Sequence, residues 1–262
     1  MYERVGELLR ETAARIVLPG YGRLEPADVR SKAGGDLVTT VDDRAEAALT
    51  VGLAALLPGA TVVGEEAVAA RPALLRALAA PGPAWVVDPV DGTANYVAGS
   101  GPFLMLVALR RGGVTEASWL YDPRADELWH AVHGGGAYRN GRAVAVAARP
   151  AAPDRGAVSA RSVPERVIAR ARRAGSAELL PGLRCAGREY PDIVTGVQDF
   201  ALFWRTKPWD HLPGALLLAE AGGAVAHLNG EPYTPTTRYR GLLAAASRAG
   251  WDRLAAALRP PS

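Results

Sequence analysis

The sequence holds one cysteine, Cys185, so no intrachain disulfide can form, which fits a reducing, cytoplasmic setting. With no partner base suggested nearby, Cys185 reads as a small buried apolar residue rather than a nucleophile. No run of about 18 apolar residues occurs, and this excludes a membrane-spanning helix. The opening "MYERVGELLRETAARIV" carries charges throughout and has no apolar centre, so no secretory leader is expected. Lysine is almost missing, at Lys32 and Lys207 only, and arginine carries the net charge of +3. The arginines are scattered without interleaved aromatics, the pattern of a solvated surface rather than a nucleic-acid face. No G-x-x-x-x-G-K-[ST] segment exists, so P-loop nucleotide chemistry is unsupported. Internal repeats and low-complexity tracts are also lacking.

Histidine is scarce too. His130, His133, His211 and His227 show no metal-ligand spacing, and an offset of three on a strand puts His130 and His133 on opposite faces. All four read as structural, with His211 expected to orient its neighbour Asp210.

What is present is an ordinary globular composition, 49% hydrophobic and 22% charged over 262 residues. That length suits one large domain or two closely joined halves. Apolar residues at Val5, Leu8, Leu9, Ala13 and Ile16 predict a helix over 4–17. "DLVTTVD" alternates like a strand and leads into a helix over 43–57, with Asp42 at the N-cap position. "TVVG" and "AWVVD" are short buried strands, and a Leu/Ala helix lies near 71–80. Residues 103–132 read as antiparallel strands joined by Gly and Pro turns, and "GGGAYRNGR" as a turn-rich link. "ARPAAPDRG", around residue 150, marks the expected boundary between an N-terminal half, 1–150, and a C-terminal half, 151–262. Beyond it, strands near 156–159, 183–186, 199–204 and 224–228 alternate with helices near 164–174, 190–196 and 211–221 and at the C-terminus. The fold class expected is α+β, mixed α/β, in layered sheets and helices.

"WVVDPVDGTANY" drives an apolar strand into two acids, Asp88 and Asp91. Hard divalent cations take carboxylate and carbonyl oxygens, and this segment offers two carboxylates with the Val90 carbonyl between them. Pro89 removes an N–H and stiffens the backbone. Gly92 lets an anion approach closely, and the N–H groups of Gly92 and Thr93 can form an anion nest. The hexapeptide alone also fits a plain turn. Three further acid-bearing ends shift the balance: Asp42 after "DLVTTV", Glu65 and Glu66 after "TVVG", and Asp210 in "KPWDHLPG". Taken singly these are helix caps or first-turn acids. Converging carboxylates would repel and raise one another's pKa values, and divalent metal resolves that conflict.

"GEE", "DPVDGTANY" and "WDHLPGALLLAEAGG", with "DLVTTVD" before them and "ELWHAVHGGGAYRNG" in family order and spacing, resemble the inositol monophosphatase family of Mg²⁺-dependent, lithium-sensitive sugar phosphatases. The resemblance covers nearly the whole chain. It implies a layered α-β-α-β-α sandwich, a homodimer, and a phosphomonoesterase with two Mg²⁺ ions and a weaker third site. Glu65, Asp88 and the Val90 carbonyl would hold one ion, and Asp88, Asp91 and Asp210 another, with Glu65 by the third. Thr93, bonded to Asp42, would orient and help deprotonate the water, and Gly92 and Thr93 would hold the phosphate. Lys32 matches a loop lysine near the site.

The resemblance weakens at the substrate end. A G-[ST]-A-A-like stretch and an acid before W-D are expected to bind sugar hydroxyls. Here the first reads Gly187-Arg188-Glu189-Tyr190, and Phe203 stands near the place of the acid. Arg188 and Glu189 are therefore the expected substrate contacts, beside Asp91 and Asp210. Arg188, Arg205 and Lys207 either favour a substrate with extra negative charge or are surface charges. Three readings stay open: an inositol or similar polyol phosphate; the same chemistry on histidinol phosphate, fructose 1,6-bisphosphate or 3′-phosphoadenosine nucleotides; or a regulatory protein with incidental phosphatase activity.

Overall fold

The computed structural model describes residues 1–32, 34–147, 154–158, 163–173, 177–236 and 239–259. A small antiparallel pair, β1 (Val29–Ser31) and β2 (Leu37–Thr39), precedes two larger sheets. The first has seven strands in the order β3-β4-β5-β6-β7-β8-β9. These are β3 (Thr61–Gly64), β4 (Ala84–Asp91), β5 (Leu104–Arg111), β6 (Val114–Asp122), β7 (Glu127–Val132), β8 (Gly136–Arg139) and β9 (Arg142–Val144). Only β3 and β4 pair in parallel, because the chain between them crosses over through helix. The second sheet is mixed, in the order β11-β10-β12-β14-β13. It comprises β10 (Asp154–Val158), β11 (Ala177–Pro181), β12 (Phe200–Phe203), β13 (Ala224–His227) and β14 (Leu242–Ala245).

The helices are α1 (Tyr2–Thr12), α2 (Leu18–Gly20), α3 (Thr40–Leu56), α4 (Glu65–Ala70), α5 (Thr93–Val97), α6 (Glu165–Arg173), α7 (Ala186–Val194), α8 (Pro208–Glu220) and α9 (Arg248–Leu258). Burial orders them into layers. Val5 and Leu9 of α1 and Leu49 and Leu53 of α3 pack with Trp85, Val87, Val107 and Trp119 on one face of the seven-stranded sheet. Tyr190 and Ile193 of α7 and Leu217 of α8 lie between Leu106 and Leu120 of that sheet and Ala201 and Ala244 of the other. Val167 and Ile168 of α6 and Trp251 and Leu254 of α9 cover the far side of the second sheet. The result is the expected α-β-α-β-α sandwich. Strand β4 is buried along its whole length because both its faces are covered.

Several local expectations need correction. The 4–17 helix is α1 followed by a π-helical turn at Ala13–Val17. The helix near 71–80 is a 3-10 helix, Pro72–Ala79. No strand forms over 183–186: the strand is β11, and Arg184 takes a left-handed backbone with φ 60° that ends any extended run. The helix expected over 190–196 begins earlier, at Ala186. β14 escapes a pattern reading because a short, fully apolar run has no period to read. The boundary expected near residue 150 falls outside the described residues. No helix among the described residues is long and apolar enough to cross a membrane.

Candidate active site

A cleft of about 710 Å³ opens where β4, α5, α7 and α8 meet. Glu65, Asp88, Asp91 and Asp210 line it, carried in by three separate elements.

Asp88 and Asp91 arrive by a bulge. In a regular strand, residues three apart point to opposite faces. Here Asp88 pairs with Leu106 and Asp91 with Leu104, so β4 spends one residue more than β5 between the two pairs. The extra residue resets the alternation, and both acids line the cleft. Pro89 suits this place because a bulge does not need its N–H. The Val90 N–H donates to Asp88 Oδ1 at 3.1 Å. Gly92 ends the strand at φ 93°, and a Cβ there would meet the Pro102 carbonyl at 2.8 Å, so only glycine fits.

Glu65 is the first residue of α4, immediately after β3. Its position rests on Glu46, an acid for which the sequence carried no signal. The buried Glu46 carboxylate accepts from Glu66 N at 2.8 Å and Ala67 N at 2.7 Å, satisfying the open N–H groups of that first turn. Gly64 makes room for it, since a Cβ there would lie 2.2 Å from the Glu46 carboxyl carbon.

Asp210 was expected at a helix N-cap. It lies inside the first turn of α8, where Lys207 is the N-cap and Pro208 the first helical residue. Asp42 is displaced likewise. Thr39 is the N-cap of α3, and Asp42 closes a capping box with it, accepting from Thr39 N at 2.9 Å and from the Thr39 hydroxyl. The other Asp42 oxygen lies 3.3 Å from Thr93 Oγ1, which also lies 3.0 Å from the Val90 carbonyl.

Glu65, Asp88 and Asp210 each offer an oxygen within 4.8 Å of the others. Burial pushes Asp88 and Asp210 well above the usual carboxylate range, with Glu65 adding to both. Burial raises Asp91 to about 6 against hydrogen bonds from Gly187 and Cys185. Burial pushes Asp42, in the first turn of α3, up to about 6. Glu65 differs: burial raises it, but Lys207 and Lys32 outweigh that and hold it below the usual value. Their ammonium groups lie 2.8 and 3.1 Å from Glu65 Oε1. Two lysine cations thus stand where the acids demand positive charge. An all-oxygen donor set, buried and mutually repelling, fits a hard divalent cation.

Lys32 is therefore at the site, and it also binds Glu66 at 2.6 Å. Lys207, left open between binding and surface roles, is part of the same network. Arg205 forms a two-pronged pair with Asp36 at 2.8 and 2.7 Å. His211 does not orient Asp210; it bonds the Tyr190 hydroxyl and the Arg205 carbonyl.

The substrate-side expectations fare differently. Arg188 does not line the cleft; its guanidinium bonds Asp192 at 2.8 Å and lies 3.7 Å from Asp122. Because α7 starts at Ala186, the helical turn carries Arg188 to another side. Glu189 reaches the cleft floor, yet its oxygens are taken by Leu183 N at 2.7 Å and Gln198 Nε2 at 2.7 Å. Gly187 serves through its backbone, donating to Asp91 Oδ2 at 2.5 Å. Cys185 is buried as expected, but its thiol lies 3.3 Å from the same oxygen, and burial pushes it far from nucleophilic use. Phe203 lines the wall where an acid was expected, stacked on Tyr190 with centroids 5.4 Å apart.

The model of the inositol monophosphatase family matches residues 3–260. The chain belongs to the inositol monophosphatase family. An inositol-1-monophosphatase of Mesorhizobium japonicum is 33% identical over 238 residues, covering 83% of this chain and 82% of that one. A fructose-1,6-bisphosphatase/inositol-1-monophosphatase of Thermotoga maritima is 28% identical over 235 residues, covering 86% and 84%. The solved structure of a Thermotoga maritima IMPase superposes with a TM-score of 0.80 at 22% identity, over 97% of this chain and 94% of that one, which speaks for the fold. As a member of the inositol monophosphatase family, the chain is a phosphoric monoester hydrolase, and the acid cluster accords with the metal dependence general in that family.

Proposed function

We propose that the chain hydrolyses inositol monophosphate or a similar small polyol or sugar phosphate, with Mg²⁺ as its metal. The convergence of Glu65, Asp88, Asp91 and Asp210 on one cleft beside the Asp42–Thr93 pair carries this reading. Glu65, Asp88, the Val90 carbonyl, Asp91 and Asp210 would hold Mg²⁺, which when bound neutralises phosphate charge and lowers the pKa of water. The residues supply the rest. Thr93 accepts a hydrogen bond from the attacking water and passes its own hydroxyl proton toward Asp42. Burial has brought Asp42 to about 6, near the working pH of a base. The two Thr39 bonds keep that carboxylate from turning. Gly92 and Thr93 N–H groups, at the open end of α5, hold the phosphate for in-line attack. A homodimer, lithium sensitivity and a cytoplasmic setting, implied by the resemblance, belong to the same proposal.

Phosphate release with Mg²⁺ from a panel of inositol, sugar, histidinol and nucleotide phosphates tests it. Asp91→Asn and Glu65→Gln are expected to abolish release in folded protein. Activity of both within about tenfold of the parent would refute the assignment, because losing a metal-binding charge removes several kcal/mol of transition-state stabilisation.

A further inference from the structure

Arg184 differs from every other cation of the cleft. Arg205 is bound to Asp36, Lys207 to Asp36 and Glu65, and Lys32 to Glu65 and Glu66. Arg184 lines the cleft, is exposed, and has no hydrogen bond or ion pair among the described residues. It also holds an unusual backbone. Three non-glycine residues among those described have positive φ: Asp126, Asn140 and Arg184. Asp and Asn tolerate that region, whereas arginine has no local bond to offset its Cβ strain.

The turn is held from both sides. Leu183 N donates to Glu189 Oε1 at 2.7 Å, and the Leu183 carbonyl accepts from Asn95 Nδ2 at 2.8 Å. Cys185 then caps α7 with an extended backbone. Strain maintained this way at a ligand cleft points to use. Phe203 and Trp204 line the same cleft and offer sugar hydroxyls no carboxylate acceptor.

We propose that Arg184 sets substrate specificity by binding a second anionic group, phosphate or carboxylate, carried by the phosphate monoester away from the reacting phosphate. This rests on the phosphatase reading and narrows its substrate class. A planar guanidinium with no internal partner presents paired donors that match either anion. Its position on a held turn reduces the ordering lost on binding.

Two matched pairs test it: glycerol 2-phosphate against 2-phosphoglycerate, and fructose 1-phosphate against fructose 1,6-bisphosphate. Steady-state kcat and KM are measured with Mg²⁺ for each. The anion-bearing member is expected to be favoured in at least one pair by roughly tenfold in kcat/KM, chiefly through KM, as one charge-assisted contact supplies. Arg184→Gly, which suits a φ of 60°, and Arg184→Gln should bring that preference to within about twofold of parity, with Arg184→Lys retaining part of it. Added salt should shrink the parent's preference. A parent ratio near one in both pairs, or a preference that survives Arg184→Gly, overturns the inference while leaving phosphatase activity in place. No phosphate release from any of the four overturns the phosphatase reading and this inference with it.

Discussion

Asp91→Asn offers the sharpest test of the acid cluster, because its effect on stability opposes its effect on activity. Asp91 is buried beneath the cleft and its carboxyl is raised to about 6 from an ordinary 3.8. A group with a raised folded pKa favours folding fully below its unfolded pKa, and that contribution is lost as pH rises through the folded pKa. Metal-free protein therefore carries a burden of about 3 kcal/mol at pH 7.5, but only about 1 kcal/mol at pH 4.5. Asparagine does not titrate, so the stability of the variant relative to the parent should improve by about 2 kcal/mol between those pH values. At roughly 2–4 °C per kcal/mol for a chain of this size, the difference in Tm should move by about 4–8 °C in favour of the variant. Thermal melts in EDTA, at both pH values, measure this. Any constant cost of rearranging the bonds to Gly187 and Cys185 cancels in the comparison. Added Mg²⁺ should raise the Tm of the parent at pH 7.5 and that of the variant much less. A difference independent of pH would refute ionisation of Asp91 as the burden, and an undiminished Mg²⁺ response would refute Asp91 as a ligand.

Three other perturbations separate the roles around the cleft. Thr93→Ala should lower kcat more than Mg²⁺ affinity, since Thr93 is assigned to water; a Mg²⁺ titration showing only weaker affinity at unchanged maximal rate would contradict it. Glu46→Ala leaves the first turn of α4 uncapped and should cost about 1–2 kcal/mol in melts while weakening the Mg²⁺ response through Glu65. Lys207→Met removes a cation 2.8 Å from Glu65, so metal-free stability should fall by about 2 kcal/mol while Mg²⁺ binds more tightly; weaker Mg²⁺ binding in calorimetry would show that Lys207 supports metal rather than competes with it.

The acids of the cleft were legible because Asp, Glu, Pro and Gly at the ends of apolar runs have few other uses in concert. Asp88, Asp91, Asp210, Glu65 and Asp42 all lie at or beside the cleft. Their exact stations were not legible. Asp42 and Asp210 read as N-caps, but each lies in a first turn because the capping residue is Thr39 in one case and Lys207 in the other. A threonine or lysine one turn upstream leaves no period to measure. On the substrate side the reading chose Arg188, and the cleft instead receives Arg184. The difference has a simple source: α7 starts at Ala186, so Arg188 lies within the helix and turns toward Asp192 and Asp122.

Sequence alone determined the acid-bearing strand and helix ends, because hydrophobic period and residue type are local properties. Tertiary structure decided which acids meet. The bulge in β4 turned Asp88 and Asp91 to one side, and Glu46, far away in α3, set the helix that carries Glu65. It also decided which cations are spent and which is free: Asp36 holds Arg205 across a separation of 169 residues, while Arg184 has no such partner among the described residues. Pairing of charges over such distances depends on how the sheets and helices stack, and no spacing along the chain encodes it.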